Sequence, residues 1–203
     1  MMFYETAANA HGLPHDPFKA LVTPRPIGWI TAISAGGEVN LSPYSFFNAV
    51  SERPPMVAFS SAGRKDALTF IEETKEFVCN LATYDLREQM NATSAVLPRG
   101  VNEMEHAGLE AAPSRMVKPP RVAQALAALE CRWLQTVPLN PLGGGEPSYH
   151  LVIGQVVGIH IDDRFIVNGL VDTAAMRPIA RSGYRDYFVA TPETKFAMTR
   201  PTR

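Results

Sequence analysis

The segment Ser60-Ser61-Ala62-Gly63-Arg64-Lys65-Asp66 has the composition of an anion site. Ser hydroxyls and backbone N–H groups bond phosphate-type oxygens, and Arg64 and Lys65 neutralise their charge. If a helix starts at its end, the helix N-terminus adds partial positive charge. A solvated turn with incidental basic residues is the plainer alternative. Just upstream, Pro43 to Ser51 offers short polar groups on Ser45 and Asn48 beside apolar walls from Tyr44, Phe46 and Phe47. That mixture suits a flat ring with a polar edge, although Phe46 and Phe47 equally suit a plain core. Together the two segments predict a pocket for a planar ligand that carries a phosphate.

Other chemistries find less support. The sequence contains no Gly-x-Ser-x-Gly elbow, so no serine nucleophile is indicated. His11, His15, His106, His150 and His160 form no metal-binding motif, and no metal site is expected. Gly143-Gly144-Gly145 lies in a Pro/Gly stretch, Pro138 to Pro147, without the strand and helix of a dinucleotide fingerprint, and reads as a mobile loop. Cys79 and Cys131 sit in apolar segments without paired spacing and read as reduced core thiols. A net charge of −1 supplies no field for nucleic acid or anionic membrane. No apolar run approaches the ~18–20 residues that span a bilayer. The first residues lack the basic start and apolar segment of a signal peptide, which leads to a cytoplasmic expectation.

The positioning elements follow from periodicity. Ile27 to Ser34 alternates as a strand, Gly36-Gly37 marks a turn, and Glu38 to Leu41 returns as its hairpin partner. Tyr44 to Phe47 reads as a loop entered through Pro43, and Met56 to Ser60 as a short buried strand. Asp66 is a good N-cap for a helix over Ala67 to Thr74. Glu76 to Leu81 is a further strand, and Tyr84 to Ser94 has helical spacing with Thr83 as its cap. Leu97 to Lys118 is rich in turns and charge, with a short helix over Glu103 to His106, and is expected to pack over the other elements or against a partner. In Ala123 to Val137 helix formers compete with an alternation that begins at Glu130; Trp133 and Val137 suit a pleated surface, so a strand is expected in the second half, with a helical turn before it as the alternative. His150 to Asp162 is the longest strand. Leu151, Ile153, Val157, Ile159 and Ile161 share one face, and Gly154 and Gly158 lie on the other, open to close approach. Arg177 to Val189 reads as a basic and aromatic segment after the last strands. Strands spaced by turns predict a mainly β fold, a closed barrel with a few helices, forming one domain over residues 1–203.

Several pieces resemble one known family. Pro24-Arg25-Pro26-Ile27, Asn40 through Asn48, Pro54-Pro55, Lys65-Asp66, Glu76 through Leu81 and His150 through Gly154 resemble, in order and spacing, the flavin reductase-like, FMN-binding split-barrel proteins, which include the flavoredoxins. The resemblance runs from about Phe18 to Phe188. It implies a split barrel that binds FMN, with the Ser60, Ser61, Arg64, Lys65 and Asp66 loop on the phosphate and Ser45, Phe46 and Asn48 around the ring. Thr31 is similar in place to a residue facing the flavin, with an inward, hydrogen-bonded Thr as the alternative. Arg25 is a candidate for the pocket rim, or else forms a surface ion pair. His150 is similar to a residue near the nicotinamide of related reductases, or is structural. Arg181 to Tyr187 resembles a C-terminal Arg-x-Gly-x-x-x-Tyr segment with Tyr187 at the ligand, although Tyr184 stands where relatives often carry a second Gly. The implied activity is hydride transfer from NADH or NADPH to flavin, with no catalytic acid or base required of the protein. A flavoredoxin-type electron carrier served by a protein partner is the alternative, and a barrel without flavin is a third reading. A two-fold homodimer with flavin near the interface is also implied.

Overall fold

The computed structural model describes residues 1–98 and 100–201. Seven strands make the main sheet: β1 (Gly28–Ile33), β2 (Val39–Tyr44), β3 (Phe47–Glu52), β4 (Pro55–Ala62), β5 (Glu76–Leu81), β6 (Ala127–Pro138) and β7 (Tyr149–Ile161). Their order is β2-β1-β5-β6-β7-β4-β3, and every neighbouring pair is antiparallel. The two edge strands, β2 and β3, are consecutive in sequence with only Ser45 and Phe46 between them. That link curls the sheet and brings its edges together without laddering them to each other. The Ser60 N–H donates to the Phe46 carbonyl at 2.8 Å and fixes the link against β4.

Period-2 alternation makes β1 the divider between two cores. Ile30 and Ala32 point into one, with Phe59, Phe77 and Val152 from the other strands. Trp29 points into the other, with Leu41, Met90, Met104, Val122 and Ile179. Ile30, Trp29, Phe59 and Phe77 are all fully buried, and each contributes roughly 1.5–3 kcal/mol of burial free energy. The helix Asp66–Thr74 (α1) lays Ala67, Leu68, Phe70 and Ile71 into the first core. It ends at Lys75, whose positive φ of 65° turns the chain out of the helix.

Segments after α1 cover the second core. The helical stretch Tyr84–Leu86 and Arg87–Ala92 contributes Met90, and the Leu97–Lys118 region contributes Met104 and Leu109. That region therefore packs over the sheet, and its short helix spans Glu103–His106. A small three-stranded sheet, ordered Arg25–Pro26, Ile179–Arg181, Tyr187–Val189, ties the C-terminal region to the approach to β1.

Four local expectations are corrected. Tyr44 to Phe47 is not a loop: Tyr44 ends β2 and Phe47 begins β3, because the Phe47 ring packs inward while only Ser45 and Phe46 make the link. Asp66 is the first helical residue and not the cap. Lys65 holds the N-cap position in extended geometry, with no side-chain cap. Arg177 to Val189 contains two strands, since Ile179 and Val189 have an apolar surface to bury against. On β7 the buried face is Val152, Gly154 and Val156, and the close approach at Gly154 comes from the Phe77 ring. The other expected elements are present, β6 among them despite its helix formers. Cys79 and Cys131 are buried and unpaired.

Candidate functional site

The clearest functional cleft, of about 460 Å3, forms where the β2–β3 link, the end of β4 and the start of α1 meet. Ser45 and Phe46 come from the link, Ser60 and Ala62 from β4, and Lys65, Asp66 and Ala67 from the helix start. Tyr149, first residue of β7, pairs with Ala62 and sets its ring 5.9 Å from that of Phe46. Lys19, Ser94 and Glu103 close the cleft from segments distant in sequence.

The cleft has the properties of an anion site. The Ser60 Oγ is buried without a hydrogen-bond partner among the described residues. A buried hydroxyl left this way costs free energy until a ligand or water satisfies it. Because no side chain caps α1, its first-turn N–H groups keep their directed partial charge for a ligand. Lys65 and Lys19 add two ammonium groups with no ion pair among the described residues. Opposing them, burial raises the pKa of Glu103 despite hydrogen bonds from Asn40 Nδ2 at 2.7 Å and the Leu41 N–H at 3.1 Å. The charge of Asp66 raises it further. Burial pushes the Tyr44 phenol up to about 12, so it stays protonated as a wall of the cleft.

A second hollow of about 370 Å3 adjoins the cleft through Lys19, Pro43, Ser45 and Ser94, and brings in Arg25, Arg181 and Tyr187. Arg25 is buried and forms no ion pair with any described residue. Its guanidinium donates to the carbonyls of Lys19, Val22 (2.5 Å) and Ser182 (2.9 Å) and lies 5.9 Å from the Phe46 ring centroid. Burial, helped by the charge of Arg181, lowers its pKa from the ordinary arginine value. Arg25 thus stitches the N- and C-terminal segments together beside the hollow.

The remaining candidates are placed apart. Ser61 is fully buried, and its hydroxyl donates to the Gly63 carbonyl at 3.0 Å, which shapes the turn. Arg64 turns away to an ion pair with Glu72. Thr31 is fully buried, and its Oγ1 accepts from Asn80 Nδ2 at 2.8 Å, so it serves the second core and lines no cleft. Asn48 is exposed on β3, its Oδ1 accepting from the Ala49 N–H at 2.9 Å. His150 pairs in register with Ser61, and its buried Nδ1 has no partner among the described residues. Among the lining residues missed in the sequence are Lys19, Ser94, Glu103 and Tyr149. Of these, only Tyr149 carried a signal: alternation places it on the face of β7 opposite to His150.

Among the described residues no group of three His, Cys, Asp or Glu could hold a metal ion, and no helix is long and apolar enough to cross a membrane.

Comparison with known proteins gives the family and the fold. A family model described as flavin reductase-like domain matches residues 21–174. An uncharacterized protein from Aquifex aeolicus is 36% identical over 181 residues, which is 86% of this chain and 89% of that protein. Among solved structures, nitrilotriacetate monooxygenase component B from Bacillus cereus superposes with a TM-score of 0.86 at 28% identity, covering 98% of each chain. A split-barrel-domain protein from Shewanella frigidimarina has a TM-score of 0.83 over 100% of each chain, and at 21% identity shows the fold alone. The curled seven-stranded sheet is a split barrel, mainly β with a few helices.

Proposed function

The chain belongs to the flavin reductase-like family, and from that premise we propose that it is an FMN-binding oxidoreductase that draws on NADH or NADPH. The observation that carries the proposal is the conjunction, in one cleft, of the unpartnered Ser60 hydroxyl, the uncapped start of α1 and Lys65 beside the Ser45–Phe46 link. These groups fit the FMN phosphate, and the Ser45 and Phe46 wall with Tyr187 and Arg25 fits its ring. When bound, the flavin accepts hydride and passes electrons onward.

The protein's own part is positioning. Lys65 and the first-turn N–H groups hold the phosphate, and the Ser60 hydroxyl gains the partner it lacks. Phe46 and Tyr149 exclude water from one side of the ligand. Asn48 and His150 stand outside the cleft: His150 shares the inward face of β7 with Val152, its Nδ1 buried, and Asn48 reaches a ligand only if it spreads over the outer face of β3. A two-fold homodimer would cover that face, and we include it in the proposal together with a single domain and a cytoplasmic location. Exposed Val50, Tyr149 and Ile159 support such a cover. No protein acid or base is needed for hydride transfer.

Anaerobic mixing of the FMN-loaded protein with NADH and with NADPH is the deciding experiment. Bleaching of the flavin within a turnover-compatible time by either nucleotide supports the reductase. A flavin that is held but reduced by neither nucleotide supports an electron carrier served by another protein. Failure to hold FMN at all ends the proposal. Light scattering on the same sample reads the assembly, and a monomer that holds flavin tightly would exclude a shared site.

A further inference from the structure

A third hollow, of about 500 Å3, lies between the helical stretch Tyr84–Ala92 and the C-terminal strands Ile179–Arg181 and Tyr187–Val189. It adjoins the hollow at Arg25 through Met90, Asn91, Arg181 and Tyr187. Its volume lies in the range of small-molecule sites, and its chemistry is unlike that of the cleft. Arg87, Arg181 and Arg185 face it, against one carboxylate, that of Glu88. Two of these guanidiniums rest on aromatic rings: Arg87 is 4.2 Å from the Tyr84 centroid and Arg181 4.5 Å from that of Tyr187. Arg177 holds Tyr84 as well, at 4.4 Å, and pairs with Asp85 at 3.1 Å.

Tyr84 and Tyr187 thus hold these guanidiniums over their ring faces, and Ile179, Phe188 and Val189 supply apolar lining beside them. A guanidinium resting on a ring is weakly hydrated and already positioned, so an arriving anion orders little. Arg87 spends one donor on the Tyr84 carbonyl at 2.9 Å and lies 3.4 Å from Glu88. Arg181 spends one on the Tyr184 carbonyl at 2.5 Å. Arg185 has no hydrogen bond or ion pair among the described residues. The hollow therefore offers unspent fork-shaped donors around aromatic walls, over a floor that includes Met90. A lone inorganic anion would use the forks and leave the rings idle, and a neutral aromatic would leave the arginines idle.

We propose that this hollow is a second ligand site, which takes a planar aromatic molecule bearing a carboxylate or a phosphate. The inference does not depend on flavin binding. If flavin does occupy the neighbouring cleft, the two ligands lie on either side of Arg181 and Tyr187.

Isothermal titration of the protein, before and after saturation with FMN, using salicylate, AMP and inorganic phosphate as probes, tests the assignment. Salicylate or AMP is expected to bind once per chain in the FMN-saturated protein, where the cleft is filled; in the free protein the cleft takes AMP as well, and FMN displaces only that copy. Binding of salicylate alone identifies aromatic carboxylates as the class, and binding of AMP alone identifies nucleotides. Arg87→Gln with Arg185→Gln should weaken that binding about tenfold or more, the worth of one charge-assisted bond, with FMN affinity and melting temperature unchanged. Arg185→Gln alone breaks no bond within the fold and guards against misfolding, and a loss of about threefold is expected from it. The proposal is overturned if neither probe binds, if inorganic phosphate binds as tightly as AMP, if the variants bind the probes normally, or if FMN displaces every bound copy. A protein that takes up the probes but not FMN would overturn the flavin assignment and leave this one standing.

Discussion

The fully buried carboxylate of Glu130 on β6 meets His160 Nε2 on β7 at 2.5 Å. The same carboxylate accepts from the backbone N–H groups of Arg115, Met116 and Val117 at 2.8, 2.5 and 3.2 Å. One side chain thus clamps the crossing segment to the outer face of the barrel. Burial alone would raise its pKa, but His160 and the N–H donors of Arg115 and Met116 outweigh burial and hold it below the usual carboxylate value. A carboxyl depressed in the folded state adds stability above its unfolded pKa, and that stability is lost as pH falls through the lower, folded value. Glu130→Leu is therefore predicted to destabilise the protein by about 2–4 kcal/mol, because three N–H groups lose their acceptor. Hydrogen exchange should show amides 115–117 losing protection in the variant at neutral pH and in the parent only under acid. Unchanged protection of these amides in the variant would refute the clamp.

The two basic residues of the Ser60–Asp66 loop should behave differently. Arg64 is committed to Glu72, whereas Lys65 lines the cleft at the start of α1. Charge-assisted hydrogen bonds are worth about 1.5–3 kcal/mol, less when exposed, so Lys65→Ala should weaken FMN about tenfold relative to riboflavin. Arg64→Ala should change that ratio by less than about threefold. Fluorescence titration of both flavins measures it. Equal weakening of the two ligands by Lys65→Ala would mean that Lys65 does not meet a phosphate.

Much of this was legible in the sequence, for reasons specific to each element. The strands β1, β5 and β7 announced themselves by alternation, and β6 was recovered against its helix formers because Trp133 and Val137 suit a pleated surface and the family resemblance implied a strand there. The Ser60–Asp66 loop stood out as a candidate because its polar and basic groups lie within seven consecutive residues, and only the fold showed that Arg64 and Ser61 turn to internal partners. The opposite wall was not legible: Lys19, Ser94 and Glu103 reach the cleft from three separate segments that only the fold brings together. Pro43 and the Phe46-Phe47 pair hid the fact that two strands run almost directly into each other. Thr31 was named from the resemblance, with an inward hydrogen-bonded Thr as the alternative; β1 is buried on both faces, so alternation alone does not say which face meets a ligand.

Thr31 offers a direct check on that last point. Its hydroxyl accepts from Asn80 Nδ2, which also donates to the Trp29 carbonyl at 3.0 Å, while Asn80 Oδ1 accepts from the Val122 N–H at 2.8 Å. Thr31→Val keeps the shape and removes one acceptor from a dry site. The expected cost is about 1–3 kcal/mol in urea unfolding, with FMN affinity and the flavin potential unchanged. A shifted potential with intact stability would return Thr31 to the ligand site.

Gly154 tests the packing of the curled sheet around its first core. A Cβ built there would lie 2.4 Å from Cε1 and Cζ of Phe77 and 3.2 Å from the Arg132 carbonyl oxygen. Phe77 is fully buried among Ile30, Phe59 and Val152, so its ring has no free space to enter. The backbone at Gly154 does not have a positive φ, and the register of β7 against β6 already shifts between Ile153 and Gly154. The strain in Gly154→Ala would come from the contact and not from the backbone. Overpacking of this kind costs about 1–3 kcal/mol, and the variant should unfold at correspondingly lower urea with an unchanged m-value. Phe77→Leu in the same chain should recover part of the loss, since it removes the ring atoms that clash. If Gly154→Ala is neutral and the double variant is no better than Phe77→Leu alone, β7 and Phe77 do not pack as described.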